Sequence, residues 1–260
     1  MVGDYSMAAE KTKSIVLENI SLTEDIYSMR IKAGDIAATA KPGQFVSLYS
    51  KDGSKLLPRP ISICEINSDD GTIRLVFRIL GKGTLEFSKL QKGDTIEVMG
   101  PLGNGFTPEG TKALLIGGGI GIPPMLELAK QLPGVKQIVL GYRDTTFLEE
   151  EFTPYGVVYV STEDGSKGTK GNVLNAILEH GLEADIIYAC GPTPMLRGIK
   201  AYAEEKGIRA QLSLEERMAC GIGACLGCVC KSKEKDHHSN VHNKRICKDG
   251  PVFYAEEVEL

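Results

Sequence analysis

The sequence predicts a multi-domain protein: an antiparallel β-barrel, then an α/β domain on a parallel sheet, then a small cysteine-rich C-terminal domain. Three observations carry that expectation. Residues 14–98 are short runs of β-branched and aromatic residues, residues 113–211 alternate strand-like and helical patterns, and residues 217–230 crowd cysteines among glycines.

The first unit reads as strands over Ser14–Ile20, Ile26–Ile31, Gln44–Tyr49, Ile61–Ile66, Thr72–Leu80 and Thr95–Met99. Turn chemistry at Pro42-Gly43, Asp69-Asp70-Gly71 and Lys92-Gly93-Asp94 separates them. A closed barrel is the economical way to remove so many strand edges. One helical pattern, from Thr84 to Leu90, interrupts the series. From Ala113 an apolar strand breaks into a glycine turn and a helix running to Lys130. Further strands at Gln137–Tyr142, Gly156–Ser161 and Asp185–Cys190 alternate with helical patterns at Asn172–His180 and Pro194–Lys206, which is βαβ grammar. With the hinge-like Gly100–Phe106 as the first boundary, the expected units are residues 1–103, 104–211 and 212–260.

Composition narrows the class. At 260 residues the chain can bury two ordinary cores and an appendage, and a net charge of -4 offers no basic stripe for nucleic acid. The polar N-terminus and the lack of a long apolar run argue for a cytoplasmic protein.

Cys220, Cys225 and Cys228 have the spacing C-x4-C-x2-C, the plant-type pattern for a 2Fe-2S cluster, which takes its fourth thiolate from elsewhere. Cys230 would aim the opposite way along an extended segment, whereas Cys247 can fold back, so Cys247 is the expected fourth ligand. Gly221, Gly223 and Gly227 suit a loop wrapped round an inorganic core. Zinc is the rival reading, but its usual signature is two separated C-x2-C knuckles. His237, His238 and His242 lie in the lysine-rich insert 231–245 and read as a solvated loop rather than a second metal site.

Gly117-Gly118-Gly119-Ile120-Gly121 falls where a first strand hands over to a helix, a position that offers free N–H groups to a pyrophosphate. The same glycines could serve packing alone. Cys190-Gly191-Pro192 ends a later strand at the same expected sheet edge, so the two turns define a cleft. In the barrel, Arg59-Pro60-Ile61-Ser62 places a fixed guanidinium beside a hydroxyl, and Val76-Phe77-Arg78 and Gly81-Lys82-Gly83-Thr84 follow it. Cys64 reads as a packed strand residue.

Taken together, Arg-Pro-x-Ser, Gly-x-Gly-Thr, Gly-Gly-Gly-x-Gly-x-x-Pro and Cys-Gly-Pro-x-x-Met resemble the ferredoxin-reductase family of flavoproteins. The cysteine block and Ile246–Phe253 narrow the resemblance to the branch that serves dihydroorotate oxidation in pyrimidine (UMP) biosynthesis. The resemblance implies FAD in the barrel, held by Arg59, Pro60, Ile61, Ser62, Val76, Phe77, Arg78, Gly83 and Thr84. It implies NAD over Gly117, Gly118, Gly119 and Gly121, with Cys190 and Gly191 near the nicotinamide, and a 2Fe-2S cluster on Cys220, Cys225, Cys228 and Cys247. It also implies an FMN-containing dihydroorotate dehydrogenase catalytic subunit as partner, two of each. Electrons would pass from that FMN through the cluster and FAD to NAD+. Hydride exchange between nicotinamide and flavin needs geometry rather than a general base, so no acid–base catalytic residue is expected. A hydrogenase- or ferredoxin-linked NAD(P)H subunit of the same family is the alternative, and a zinc-stabilised binding module is a second one.

Overall fold

A computed structural model describes residues 11–235 and 240–260. His237 and His238 therefore lie outside the described residues. The first unit comprises β1 (Lys11–Ser21), β2 (Ile26–Lys32), α1 (Gly34–Thr39), β3 (Phe45–Tyr49), β4 (Arg59–Asn67), β5 (Thr72–Arg78), α2 (Lys82–Phe87) and β6 (Thr95–Leu102). Its strands close a barrel in the order β1-β2-β5-β4-β3-β6, every pair antiparallel. The strand alternation decides what fills it: Val46, Leu48, Ile63 and Phe77 point inward with Val16 and Met29. The sequence pattern did not show α1, whose Ile36 and Ala37 join that barrel core.

The second unit runs β7 (Lys112–Gly118), α3 (Pro123–Gln131), β8 (Val135–Tyr142), α4 (Glu149–Phe152), β9 (Val157–Thr162), β10 (Thr169–Lys170), α5 (Val173–Glu179), β11 (Ile186–Cys190), α6 (Thr193–Lys206) and β12 (Arg209–Ser213). Strands β10-β9-β8-β7-β11-β12 pair in parallel. Successive residues of β7 serve opposite cores: Leu114 and Ile116 pack with Ile177 of α5 and Ile199 of α6, and Leu115 packs with Leu126 and Leu128 of α3. Burial on both faces explains why β7 reads as an unbroken apolar run.

The cysteine loop leads to β13 (Val229–Ser232), β14 (Asn243–Arg245), α7 (Ile246–Asp249), β15 (Val252–Tyr254) and β16 (Val258–Glu259). β14-β13-β16 make a small antiparallel sheet, while β15 pairs with β12 and adds an antiparallel edge to the large sheet. Phe45, Met99 and Leu102 on the barrel's outer face share one buried core with Cys228, Ile246 and Cys247. The C-terminal unit is thus wedged against both others.

A charge network fastens barrel to α/β unit. The Arg74 guanidinium, 8% exposed, donates to Ser28 Oγ at 2.7 Å, to Glu65 at 2.7 Å and to both carboxylate oxygens of Glu151 on α4. Glu65 also pairs with Lys130 of α3, and Glu127 of the same helix accepts the Ile66 amide at 2.8 Å. Burial costs these ions hydration, and their mutual pairing offsets it. The two units that flank the expected flavin ring are held at a fixed angle.

Candidate functional site

Three neighbouring surfaces make up the site. The first is on the barrel. Arg59 opens β4, and its guanidinium lies across the start of α2, where a Cβ on Gly83 would come within 2.1 Å of Nε. Any larger residue at position 83 would push that guanidinium from its place. Thr84 Oγ1 accepts the amides of Leu80 (2.9 Å) and Gly81 (3.3 Å), so its hydroxyl ties the turn together. Pro60 and Ser62 stand on the barrel's outer face, in register with Ser47 and Phe45 of β3. Ile61 is turned toward the barrel core, and Phe77 lies within it against Tyr27 and Phe87. Phe77 can offer a cofactor only its backbone, whereas Ile61 stays partly exposed. Val76 packs on the α/β side instead, and Arg78 pairs with Asp25 at 3.1 Å.

The second surface is the carboxyl edge of the parallel sheet. Gly117, Gly118 and Gly121 are glycines because the joint is tight: added Cβ atoms would meet Ile122 Cα at 2.9 Å, Met195 Sδ at 2.4 Å and the Cys190 carbonyl oxygen at 2.4 Å. Gly191 likewise abuts Gly118 and Met195. Gly119 differs, with φ +53° and no neighbour for a side chain within 4 Å. The two glycine turns therefore form one continuous edge, and Gly119 is the one that faces open space. Cys190 is 1% exposed, and burial pushes its thiol up, so it is not a nucleophile.

Two features of this edge were not foreseen. Glu215 sits near Cys190, and although the residue has solvent-accessible surface, protein packed round its carboxylate raises its pKa. The loop 163–168 also folds back on β8: the Glu163 amide donates to the carbonyls of Tyr142 and Arg143, and Ser166 Oγ to that of Asp144. Its Asp-Gly-Ser turn could have been noticed, but nothing local says it lies beside Arg143. Arg143 pairs with Asp144 at 3.0 Å. Hydrogen bonds from Thr145, then from Arg143, hold the Asp144 carboxyl below the usual carboxylate range.

The third surface is the cysteine loop. The cysteines fall into two pairs, each joined by a backbone amide on a sulfur: Cys220 with Cys225 and Cys228 with Cys247. Backbone amides point at the sulfurs: Gly223 N to Cys247 Sγ at 3.1 Å, Cys225 N to Cys220 Sγ at 3.4 Å, Cys247 N to Cys228 Sγ at 3.5 Å. The left-handed φ of Gly221 (+71°) and Gly223 (+79°) turns those amides inward. Burial pushes the Cys220 thiol up, but the amides of Cys225, Ile222 and Ala224 outweigh it and hold the pKa at about 6. Burial, then the bond to Cys228, pushes Cys247 up to about 12. Cys228 and Cys247 are buried; Cys220 and Cys225 are half-buried, and Ile222 and Leu226 of the same loop are exposed. Cys230 stands apart on β13 opposite Lys244, and burial takes its thiol to about 11.

The donor set fits a two-iron core. Each iron of such a cluster takes two thiolates, and N–H groups aimed at the sulfurs offset their charge. Among the described residues no three His, Cys, Asp or Glu side chains are placed to hold a single metal ion.

Comparison with known proteins bears on all three surfaces. Residues 13–106 match the oxidoreductase FAD-binding domain, and residues 215–259 match the iron-sulfur cluster binding domain of dihydroorotate dehydrogenase B. The protein named dihydroorotate dehydrogenase B (NAD(+)), electron transfer subunit, of Fusobacterium nucleatum is 46% identical over 260 residues, covering 94% of this chain and 97% of its own. The chain belongs to this family of electron-transfer subunits. The Listeria monocytogenes (serotype 4a) subunit of the same name is 44% identical, covering 96% of this chain and 99% of its own. Among solved structures, an NADH-dependent reduced ferredoxin-NADP oxidoreductase superposes with a TM-score of 0.85 at 32% identity, over 100% of this chain and 91% of that one. The barrel, parallel sheet and C-terminal iron-sulfur unit are the architecture of the family, and an electron-transfer subunit works with a catalytic subunit.

Proposed function

We propose that the chain passes electrons from a dihydroorotate-oxidising catalytic subunit to NAD+, in the pyrimidine branch of the family. The observation that carries this reading is adjacency. Gly221, next to Cys220, packs on Ser47 of β3, and Ser47 stands in register with Pro60 of β4. The cysteine cage and the Arg59–Ser62 strand are thus separated by one β-strand.

FAD and a 2Fe-2S cluster, when bound, supply two-electron and one-electron exchange respectively. The chain's own residues then have distinct tasks. Arg59 and the Gly83 turn would hold a pyrophosphate, and Pro60, Ile61 and Ser62 would support the ring with the backbone of Val76, Phe77 and Arg78. Gly119 and its neighbours Gly117, Gly118 and Gly121 receive the dinucleotide, with Cys190 and Gly191 closing the nicotinamide end. Cys220, Cys225, Cys228 and Cys247 hold the irons as the two pairs described above. The Arg74 network fixes the angle between barrel and sheet, on which the distance from nicotinamide to flavin depends. Asp144, held ionised beside Arg143, would repel a 2′-phosphate and favours NAD over NADP.

The partner we propose is an FMN-containing catalytic subunit, two of each, in the cytoplasm. Ile222 (50% exposed) and Leu226 (64%), on the same loop as the half-buried Cys220 and Cys225, suit an apolar contact there. The units we propose are residues 1–103, 104–211 and 212–260, the last anchored by β15. The ferredoxin-linked structural relative favours a second reading, in which the chain exchanges electrons with a ferredoxin and NADP. Co-expression separates the two: the tagged chain should co-purify with an FMN subunit and couple dihydroorotate oxidation to NAD+ reduction. Turnover with reduced ferredoxin and NADP+, and none with dihydroorotate, would reverse the assignment.

A further inference from the structure

β3 separates the two redox surfaces, and its outer face holds Phe45, Ser47 and Tyr49 while Val46 and Leu48 fill the barrel. Ser47 is the polar member that is wholly enclosed. It is 0% exposed, and its Oγ has no hydrogen-bond partner. In register it faces Pro60 on one side and Met99 on the other. Across the interface it adjoins the cysteine loop: a Cβ built on Gly221 would lie 3.0 Å from Ser47 Oγ, and Gly221 directly follows Cys220.

A buried hydroxyl without a partner costs about 1–3 kcal/mol, and folded proteins seldom tolerate one unless a group outside the polypeptide completes it. The side chains beside it in the shared core, Phe45, Met99 and Leu102, are no use as strong acceptors. Among the described residues no cysteine Sγ takes its hydrogen bond either, which leaves an inorganic sulfide of a cluster held at Cys220 as the acceptor that fits. Resting on the reading of the cysteines as a 2Fe-2S site, we propose that Ser47 donates its hydroxyl hydrogen to an inorganic sulfide of that cluster and so tunes its potential. Reduction adds negative charge to the cluster, so an O–H dipole aimed at sulfur stabilises the reduced form more than the oxidised one and raises the potential. Ser47 is a positioning residue in this role: it binds neither substrate nor iron. Because it stands on the strand next to Arg59–Ser62, it also sets the cluster against the flavin side of the barrel.

The test uses the anaerobically purified full chain with Ser47→Ala and Ser47→Thr. Iron and flavin are counted first, and an EPR-monitored redox titration follows, with electron-nuclear double resonance in D2O to detect exchangeable protons at the cluster. Ser47→Ala should keep its iron and FAD, lose one exchangeable-proton coupling, and shift the one-electron reduction equilibrium about tenfold toward the oxidised cluster, equivalent to about 59 mV. Ser47→Thr, which keeps a hydroxyl on a strand, should restore both signals. An unchanged midpoint and proton coupling in Ser47→Ala overturns the proposal, as does a shift confined to the flavin. A wild-type chain without iron would instead overturn the underlying reading of the cysteines, so the two failures are distinct.

Discussion

Replacing Gly83 by alanine sets two effects of opposite sign against each other. Gly83 lies inside α2, where alanine is favoured over glycine by about 0.5–1 kcal/mol, so helix propensity alone would stabilise the variant. The added methyl, however, would sit 2.1 Å from Nε and 2.5 Å from Cζ of Arg59. To reach ordinary contact the guanidinium must retreat by about 1.3 Å, enough to take a hydrogen bond to phosphate beyond its working range. Charge-assisted bonds of that kind contribute about 1.5–3 kcal/mol each. Losing one weakens FAD about 10- to 150-fold, and losing a bidentate pair weakens it further. The assay is flavin content after gel filtration, followed by fluorescence titration of the flavin-free protein with FAD. Thermal unfolding of the flavin-free form should be unchanged or slightly raised. Unaltered FAD affinity in a folded Gly83→Ala protein would refute the role given to Arg59.

Four further outcomes follow from other parts of the structure. Gly121→Ala places its Cβ 2.4 Å from a backbone oxygen that cannot swing away, so it should lose NAD binding and several degrees of thermal stability. Gly119→Ala meets no atom and pays only for its left-handed φ, about 1–2 kcal/mol, which calorimetry would resolve. Serine at Cys228 or Cys247 should abolish the iron signal in metal analysis, whereas Cys230→Ser should keep it. For Glu65, burial raises the pKa, but Lys130 and Arg74 outweigh it and the folded value is depressed. Its contribution is then present above the unfolded pKa and fades as pH falls through the folded one. Glu65→Gln should therefore cost on the order of 3 kcal/mol at neutral pH, with the difference in melting temperature shrinking in acid.

Much of the fold could be read from periodicity. The barrel strands announced themselves through β-branched residues and the turns between them, and the parallel sheet through β7, β8 and β11, whose apolar runs need cover on both faces. α1 escaped notice because six residues of Gly-Asp-Ile-Ala-Ala-Thr are too short to show a period. β15 escaped because its three residues gain their place from an edge offered by β12, a partner some forty residues earlier. The candidate site divides in the same way. Cysteine spacing is a local signal, so Cys220, Cys225 and Cys228 stood out as ligands, but which of them pair, and the approach of Gly221 to Ser47 on a different unit, have no sequence signature. Nor could sequence show that Gly117, Gly118 and Gly121 answer to packing while Gly119 faces open space. Phe77 illustrates the reverse: the family resemblance implied a place beside the cofactor, and the alternation of β5 sends its ring into the barrel.

The most direct test of the electron path is a comparison of two rates in one variant, Cys225→Ser, assembled with the catalytic subunit. Dihydroorotate-dependent reduction of NAD+ should be lost, while NADH should still reduce an artificial dye through the retained flavin. Should NAD+ reduction from dihydroorotate continue at the wild-type rate in protein shown to lack iron, the cysteine loop would not be the conductor.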